Sequence, residues 1–172
     1  DVRTARGDGM GYKLGPANTA TTTLLRVLTN NLAFENKIIG FDQNSGRMTY
    51  QFYNNTSYKN GQFGYFFGTD PSIQQIFKNN LSYKDPEAAY GPEIQGSFNS
   101  WNFSLNLQDS HFMSLDSVSA SGRVDGPRQA DGSLPNLLFL KPAPGSPVLN
   151  RGTDVNLPYS GSAPDLGAYE SP

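Results

Sequence analysis

Asn30-Asn31-Leu32-Ala33-Phe34, Asn54-Asn55-Thr56-Ser57-Tyr58 and Asn79-Asn80-Leu81-Ser82-Tyr83 are three copies of one motif, and Trp101-Asn102-Phe103-Ser104-Leu105 is a blurred fourth. The second Asn recurs at 31, 55, 80 and 102, at intervals of 24, 25 and 22 residues. A period in this range marks a solenoid, in which each repeat is one coil stacked on the last.

Short apolar runs lie on either side of each Asn pair. Leu24 to Leu28, Met48 to Tyr53 and Ser72 to Phe77 lead into it, and Lys37 to Phe41 and Gly64 to Phe67 follow it. Met10, Tyr12 and Leu14 alternate with Gly11 and Lys13, as in a half-buried strand. Each repeat therefore reads as a strand, an Asn-Asn turn, a small-and-aromatic strand, a second turn and a third strand. That is the layout of a parallel β-helix. Asn suits the tight turns because it tolerates the left-handed region and bonds neighbouring backbone. Stacked Asn side chains are expected to bond from coil to coil as a ladder, and the aromatics at 34, 58 and 83 to stack.

Beyond the repeat, residues 85–98 carry Pro86, Gly91, Pro92 and Gly96 and read as a loop with one helical turn at 86–89. Residues 107–136 are a second irregular stretch, and Leu137 to Leu140 is a final strand. The Pro- and Gly-rich tail from Lys141 is expected to pack across the open end of the last coil, since exposed sheet edges invite aggregation. The N-terminal end carries no comparable cap, and the stack reads as incomplete there.

Composition narrows the class. A chain of 172 residues suits one domain, here 1–172, with stacked coils over 1–106 and loops, last strand and cap over 107–172. Apolar residues make up 36% and charged residues 16%, too polar for a membrane protein and too poor in charge for a disordered one. A net charge of −2 with no basic patch argues against nucleic acid as a partner. There is no cysteine, hence no disulfide and no thiolate metal site. The chain begins Asp1-Val2-Arg3, without initiator Met or signal peptide, which says nothing against export.

Gly7-Asp8-Gly9-Met10-Gly11-Tyr12-Lys13-Leu14-Gly15 resembles the Asp-Gly-Asn-Gly-Phe-Lys-Leu-Gly-Gly motif of the pectate lyases of polysaccharide lyase family nine. Asn30 to Asn36, Ile39 to Asn44 and Tyr53 to Gly61 fit the same family. The tail segments Gly145 to Gly152 and Ala163 to Glu170 resemble the common end of bacterial right-handed β-helix proteins. Met10 stands where the family motif has Asn, and Pro16 where it has Gly. The resemblance covers most of residues 7–106 and the tail, and maps to the C-terminal half of such an enzyme. It implies an all-β, right-handed parallel β-helix with coils of about 22–25 residues.

The implied activity is β-elimination on polygalacturonate or a related uronic-acid glycan. A base removes the proton α to the uronate carboxylate, and the glycosidic bond at the β position breaks. The resemblance implies Ca²⁺ to neutralise the carboxylate, a hard cation matched to oxygen ligands. The family's aspartate ligands lie well before the lysine motif, outside this chain. Lys13 is implied as the Brønsted base. Gly11 and Gly15 would leave room for a bulky sugar, and alternation with Tyr12 and Leu14 turns Lys13 outward.

Other residues are candidates for holding substrate. Asp8 reads as a Ca²⁺ contact, an ion-pair partner for Lys13 or an ordinary Asp-Gly turn. Arg3, Arg6 and Arg26 are suited to grip uronate carboxylates, or are plain surface residues. Asp42 and Asn44 fall about one coil after Lys13 and would line the same face, or serve as turn residues. Tyr50, Tyr53, Tyr65 and Phe67 are candidates for a sugar-stacking platform, although alternation assigns many of the aromatics to the core. His111 is the single histidine and reads as a loop residue. The glycosylation sequons at Asn54, Asn55, Asn80 and Asn102 arise from the repeat itself.

Two functions follow. One is a polysaccharide lyase of pectin degradation, secreted or on the surface or in the periplasm of a bacterium. The other is a non-catalytic β-helix module that binds glycan or complements another chain. Expected partners are an acidic polysaccharide and an N-terminal β-helix segment or a second copy over the open end, with neither nucleic acid nor membrane.

Overall fold

Each coil is made of short strands that hand over in turn to three separate sheets. The computed structural model describes residues 7–15, 21–68, 73, 75–91, 94–119, 127, 130 and 137–171. In chain order its strands are β1 (Met10–Lys13), β2 (Thr21–Thr29), β3 (Leu32–Phe34), β4 (Ile39–Asp42), β5 (Met48–Tyr53), β6 (Thr56–Tyr58), β7 (Phe63–Phe66), β8 (Gln75–Lys78), β9 (Leu81–Tyr83), β10 (Glu87–Tyr90) and β11 (Ile94–Ser97). The first sheet runs β1-β4-β7-β10, the second β11-β8-β5-β2 and the third β3-β6-β9. Every pairing is parallel, so the fold is a parallel β-helix.

The Asn-Asn motif builds the corner between the second and third sheets. Asn30, Asn54 and Asn79 take the left-handed conformation, with φ of 56°, 53° and 59°. This is a backbone region where Asn is tolerated and most L-residues are strained. The following Asn forms the ladder. The backbone and side-chain N–H groups of Asn31 both donate to Asn55 Oδ1, at 3.1 and 2.9 Å. Asn55 does the same to Asn80 Oδ1, at 3.0 and 3.0 Å. Spare donors reach backbone carbonyls of the preceding coil, as from Asn80 Nδ2 to Phe52 O at 2.9 Å.

The fourth rung differs from the sequence expectation. Asn80 donates to Asn99 Oδ1, a step of 19 residues, and Asn102 is not in the ladder position. Phe98 takes the left-handed place of the first Asn, at φ 62°. Asn102 Oδ1 instead accepts from the backbone and side chain of Asn99, at 2.9 and 3.1 Å, and ends the ladder.

A second ladder, at the corner between the third and first sheets, was not read from the sequence. Glu35, Lys59 and Lys84 take the left-handed place at φ 51°, 53° and 58°. Asn36 then donates to Asn60 Oδ1 at 3.0 and 2.8 Å, and Asn60 to Asp85 Oδ1 at 2.8 and 2.9 Å.

Two further expectations are corrected. Residues 86–89 form no helical turn: β10 and β11 continue the first two sheets through this stretch. Leu137 to Leu140 is no strand, since Phe139 makes one isolated bridge to Ser114.

Inside the coils, aromatics at one register lie over one another. Tyr12 stacks on Phe41 at 4.8 Å and Phe41 on Tyr65 at 4.9 Å, while Phe52 stacks on Phe77 at 4.7 Å. A second cluster joins Tyr58, Leu81 and Tyr83 of the third sheet to Phe139, Val148 and Leu166 of the tail. Tyr58 and Tyr83 stack as expected, at 6.0 Å, whereas Phe34 meets Phe139 edge-on at 4.8 Å. The tail thus runs along the flank of the stack, across several coils. Gly167 N donates to Asn79 O at 2.8 Å and Ala168 N to Thr56 Oγ1 at 2.9 Å. Among the described residues no helix is long and apolar enough to cross a membrane.

Candidate functional site

Lys13 ends β1 and pairs in register with Asp42, which ends β4. Its neighbour Tyr12 stacks inside on Phe41. Successive strand residues point to opposite faces, so Lys13 is carried on the outer face of the first sheet. Its side chain is 40% exposed, and its ammonium donates to Asp8 Oδ2. Asp8 is thus the ion-pair partner that one of its sequence readings anticipated. The bond from Lys13, and then its charge, hold the Asp8 carboxyl below its ordinary value.

Asp42 is buried beneath this pair. Burial pushes its carboxyl up, against the pull of the Asn44 N–H and the Lys13 charge, and the Asp8 charge adds to the rise. Asn44 N donates to Asp42 Oδ1 at 2.8 Å, so Asn44 acts on the site through its backbone. Asn44 and Ser45 are both left-handed, at φ 46° and 59°, and turn the chain sharply from the first sheet to the second.

Close backbone approach accounts for the glycines of the lysine motif, at this turn for Gly15 and at the next coil for Gly11. A Cβ on Gly15 would sit 1.9 Å from Asn44 O, and one on Gly11 would sit 2.6 Å from Asn36 Nδ2 and 2.7 Å from Gly40 O. At both positions neighbouring coils approach too closely for a Cβ. Leu14 N donates to Asp42 O at 2.9 Å and Tyr50 Oη to Leu14 O at 3.3 Å, fixing the backbone beside Lys13.

Lys13, Asp8, Asp42 and Asn44 are therefore brought together. Arg26 is not brought to the same face. It stands on β2 in register with Tyr50, a core residue, and shares that residue's side of the second sheet. Its charge reaches the Tyr50 phenol, lowering a value that burial raises. Arg6 lies outside the described residues. Tyr50, Tyr65 and Phe67 are fully buried, so they offer no stacking platform. His111 closes a short turn by accepting from Gln108 N at 3.0 Å. Asn54, Asn55 and Asn80 are buried in the corner, which leaves these sequons inaccessible.

Among the described residues no three Asp, Glu or His side chains converge as a metal site. Near Lys13 there are two carboxylates, one paired with the ammonium and one accepting a backbone bond. Calcium favours six to eight oxygen ligands. The described residues therefore do not fit a resident Ca²⁺.

No protein-family model matches the chain. It is 38% identical over 167 residues to pectate lyase L of Dickeya chrysanthemi, covering 95% of this chain and 37% of that protein. It is 32% identical over 151 residues to pectate lyase PEL9 of Emericella nidulans, covering 86% of this chain and 35% of that one. Among solved structures it is similar to pectate lyase Pel9A, with a TM-score of 0.80 and 34% identity over 97% of this chain and 40% of that one. The chain thus spans well under half the length of these relatives.

Proposed function

The chain belongs to the pectate lyases of polysaccharide lyase family nine, and from that membership we propose that it carries the base of a lyase acting on polygalacturonate or a related uronic-acid glycan. The observation that carries this reading is Lys13: an outward lysine in the family's motif, on a rung shared with Asp42 and paired with Asp8.

The chemistry asks three things of these groups. The Lys13 amine, once released from Asp8 and neutral, takes the proton α to the uronate carboxylate. The electron pair left on carbon forms the double bond, and the β glycosidic C–O bond breaks. The departing oxygen takes a proton from solvent. Asp8 holds the ammonium before and after, and Asp42 with its bond from Asn44 fixes the rung beneath. Arg6 is a candidate to hold a uronate carboxylate by guanidinium pairing. The resemblance implies Ca²⁺ as well, but no step is assigned to it because the described residues do not fit one.

Among the described residues the three sheets end on β1, β2 and β3 at one end of the stack. Free strand edges favour further pairing. We assign that end to a preceding β-helix coil of the same protein, in keeping with the length of the relatives. Secretion or surface display follows from the polymeric substrate.

The test is the ultraviolet absorbance of unsaturated uronate products. Activity is expected to vanish in Lys13→Ala and equally in Lys13→Arg, because a guanidinium keeps the charge but cannot serve as a base. Full activity in either folded variant overturns the role of Lys13. Glycan binding without any product from the unsubstituted protein would favour a non-catalytic binding module.

A further inference from the structure

The rung that carries Lys13 continues up the stack as Lys13, Asp42, Phe66 and Tyr90, one residue from each strand of the first sheet. Its upper half is aromatic. Phe66 and Tyr90 are stacked at 5.0 Å and 5° between planes, and Phe63 leans on both at 4.9 and 5.5 Å. None of the three belongs to the core clusters. Tyr90 is 46% exposed, and Phe63 and Phe66 are half-buried. They form an aromatic surface on the outer face of the first sheet, level with Lys13.

We propose that Phe63, Phe66 and Tyr90 are a stacking subsite for a sugar ring of the glycan whose cleaved residue lies at Lys13. This rests on the lyase reading for the identity of the glycan. Three features of the surface select a saccharide. Aromatic faces carry partial negative charge, which suits the C–H groups that a pyranose ring presents on one side. Pairs of aromatics are rigid and lose little side-chain freedom on contact, so they serve as anchors. The row also runs without a break into Lys13 and Asp42, in steps of about 4.8 Å from strand to strand. A glycan lying along the stack would therefore meet polar groups at one end and a stacking surface two to three coils from Lys13.

The test titrates the protein with trigalacturonate and hexagalacturonate while following Tyr90 ring resonances by NMR. The hexamer is expected to bind several-fold more tightly than the trimer and to shift Tyr90. Tyr90→Ala should remove that advantage and leave trimer binding unchanged. Tyr90→Phe should retain it, since stacking needs the ring and not the hydroxyl. In turnover, Tyr90→Ala should raise KM for long substrates with kcat kept. An unchanged hexamer affinity in Tyr90→Ala, or no shift at Tyr90, overturns the subsite while leaving the lyase reading intact if product still forms. Hexamer binding with a Tyr90 shift but no product would sink the lyase reading and leave the subsite standing. No binding of either oligomer overturns the subsite.

Discussion

Lys13 and Asp42 occupy one rung of the first sheet on adjacent strands, with the lysine exposed and the aspartate buried beneath it. Burial raises the Asp42 carboxyl, so an ionised Asp42 weakens the fold. The sign is fixed by the direction of that shift. Stability from this group is present at low pH and falls as pH rises through its folded value. Asp42→Asn removes the buried charge and keeps an acceptor for the Asn44 N–H. It is expected to be neutral or stabilising in urea unfolding at neutral pH. If Lys13 is the base as proposed, it should also lower kcat/KM by about tenfold or more, because the carboxylate beneath Lys13 is lost. Lower stability with full activity would show that Asp42 serves the fold alone.

Gly15→Ala tests the close approach beside Lys13. Its Cβ would meet the Asn44 carbonyl oxygen at 1.9 Å, and backbone cannot swing away as a side chain can. The turn from Asp42 to Gly46 must shift, at a cost of about 1–3 kcal/mol typical of overpacking. Activity should fall with it. Gly145→Ala is the control. It has a φ of +80° but nothing within 4 Å, so it strains the backbone far from Lys13. It should lower stability by about 1–2 kcal/mol and leave kcat unchanged.

The repeat was legible because its signal is chemical. A left-handed corner followed by a ladder selects Asn twice, and Asn54-Asn55 and Asn79-Asn80 announce it. The second ladder escaped because only one position is selective. Asn36, Asn60 and Asp85 change residue type, and their left-handed neighbours Glu35, Lys59 and Lys84 are types rarely associated with that conformation. The fourth coil was misplaced because Phe98 fills the left-handed position and Asn102 mimics the motif three residues late. Lys13, Asp8, Asp42 and Asn44, named by motif and by period, lie together in the structure. The aromatic row was not. Position 65 faces in and positions 63 and 66 face out, because the strand inserts two inward residues, Gly64 and Tyr65, and strict alternation fails there.

Gln75 is fully buried in the second sheet, in register with Tyr50, and neither side-chain polar atom has a partner among the described residues. An unpaired buried amide costs about 1–3 kcal/mol. Gln75→Leu should therefore stabilise the protein by about 1–2 kcal/mol, read as a higher urea midpoint with an unchanged slope. A loss of stability would reveal a buried water or an ordered partner at this site.

Glu170 offers the clearest pH signature. Its carboxylate accepts from Asp165 N at 3.1 and 3.3 Å and from Asn54 Nδ2 at 3.4 Å, which ties the tail to the Asn corner. Burial, and next the charge of Asp165, push it from 4.5 up to about 7. The folded state therefore binds a proton that the unfolded chain has already released between these values. Stability must fall as pH rises from 4.5 to about 7, and level off above. Asp8, Asp109 and Asp116 are shifted downward, so they act at lower pH and with the opposite sign. Glu170→Gln holds the neutral form at every pH and should flatten the upper part of this slope. The urea midpoint of the two proteins, measured from about pH 5 to about pH 8, decides it. Parallel curves would mean that Glu170 keeps an ordinary affinity for its proton.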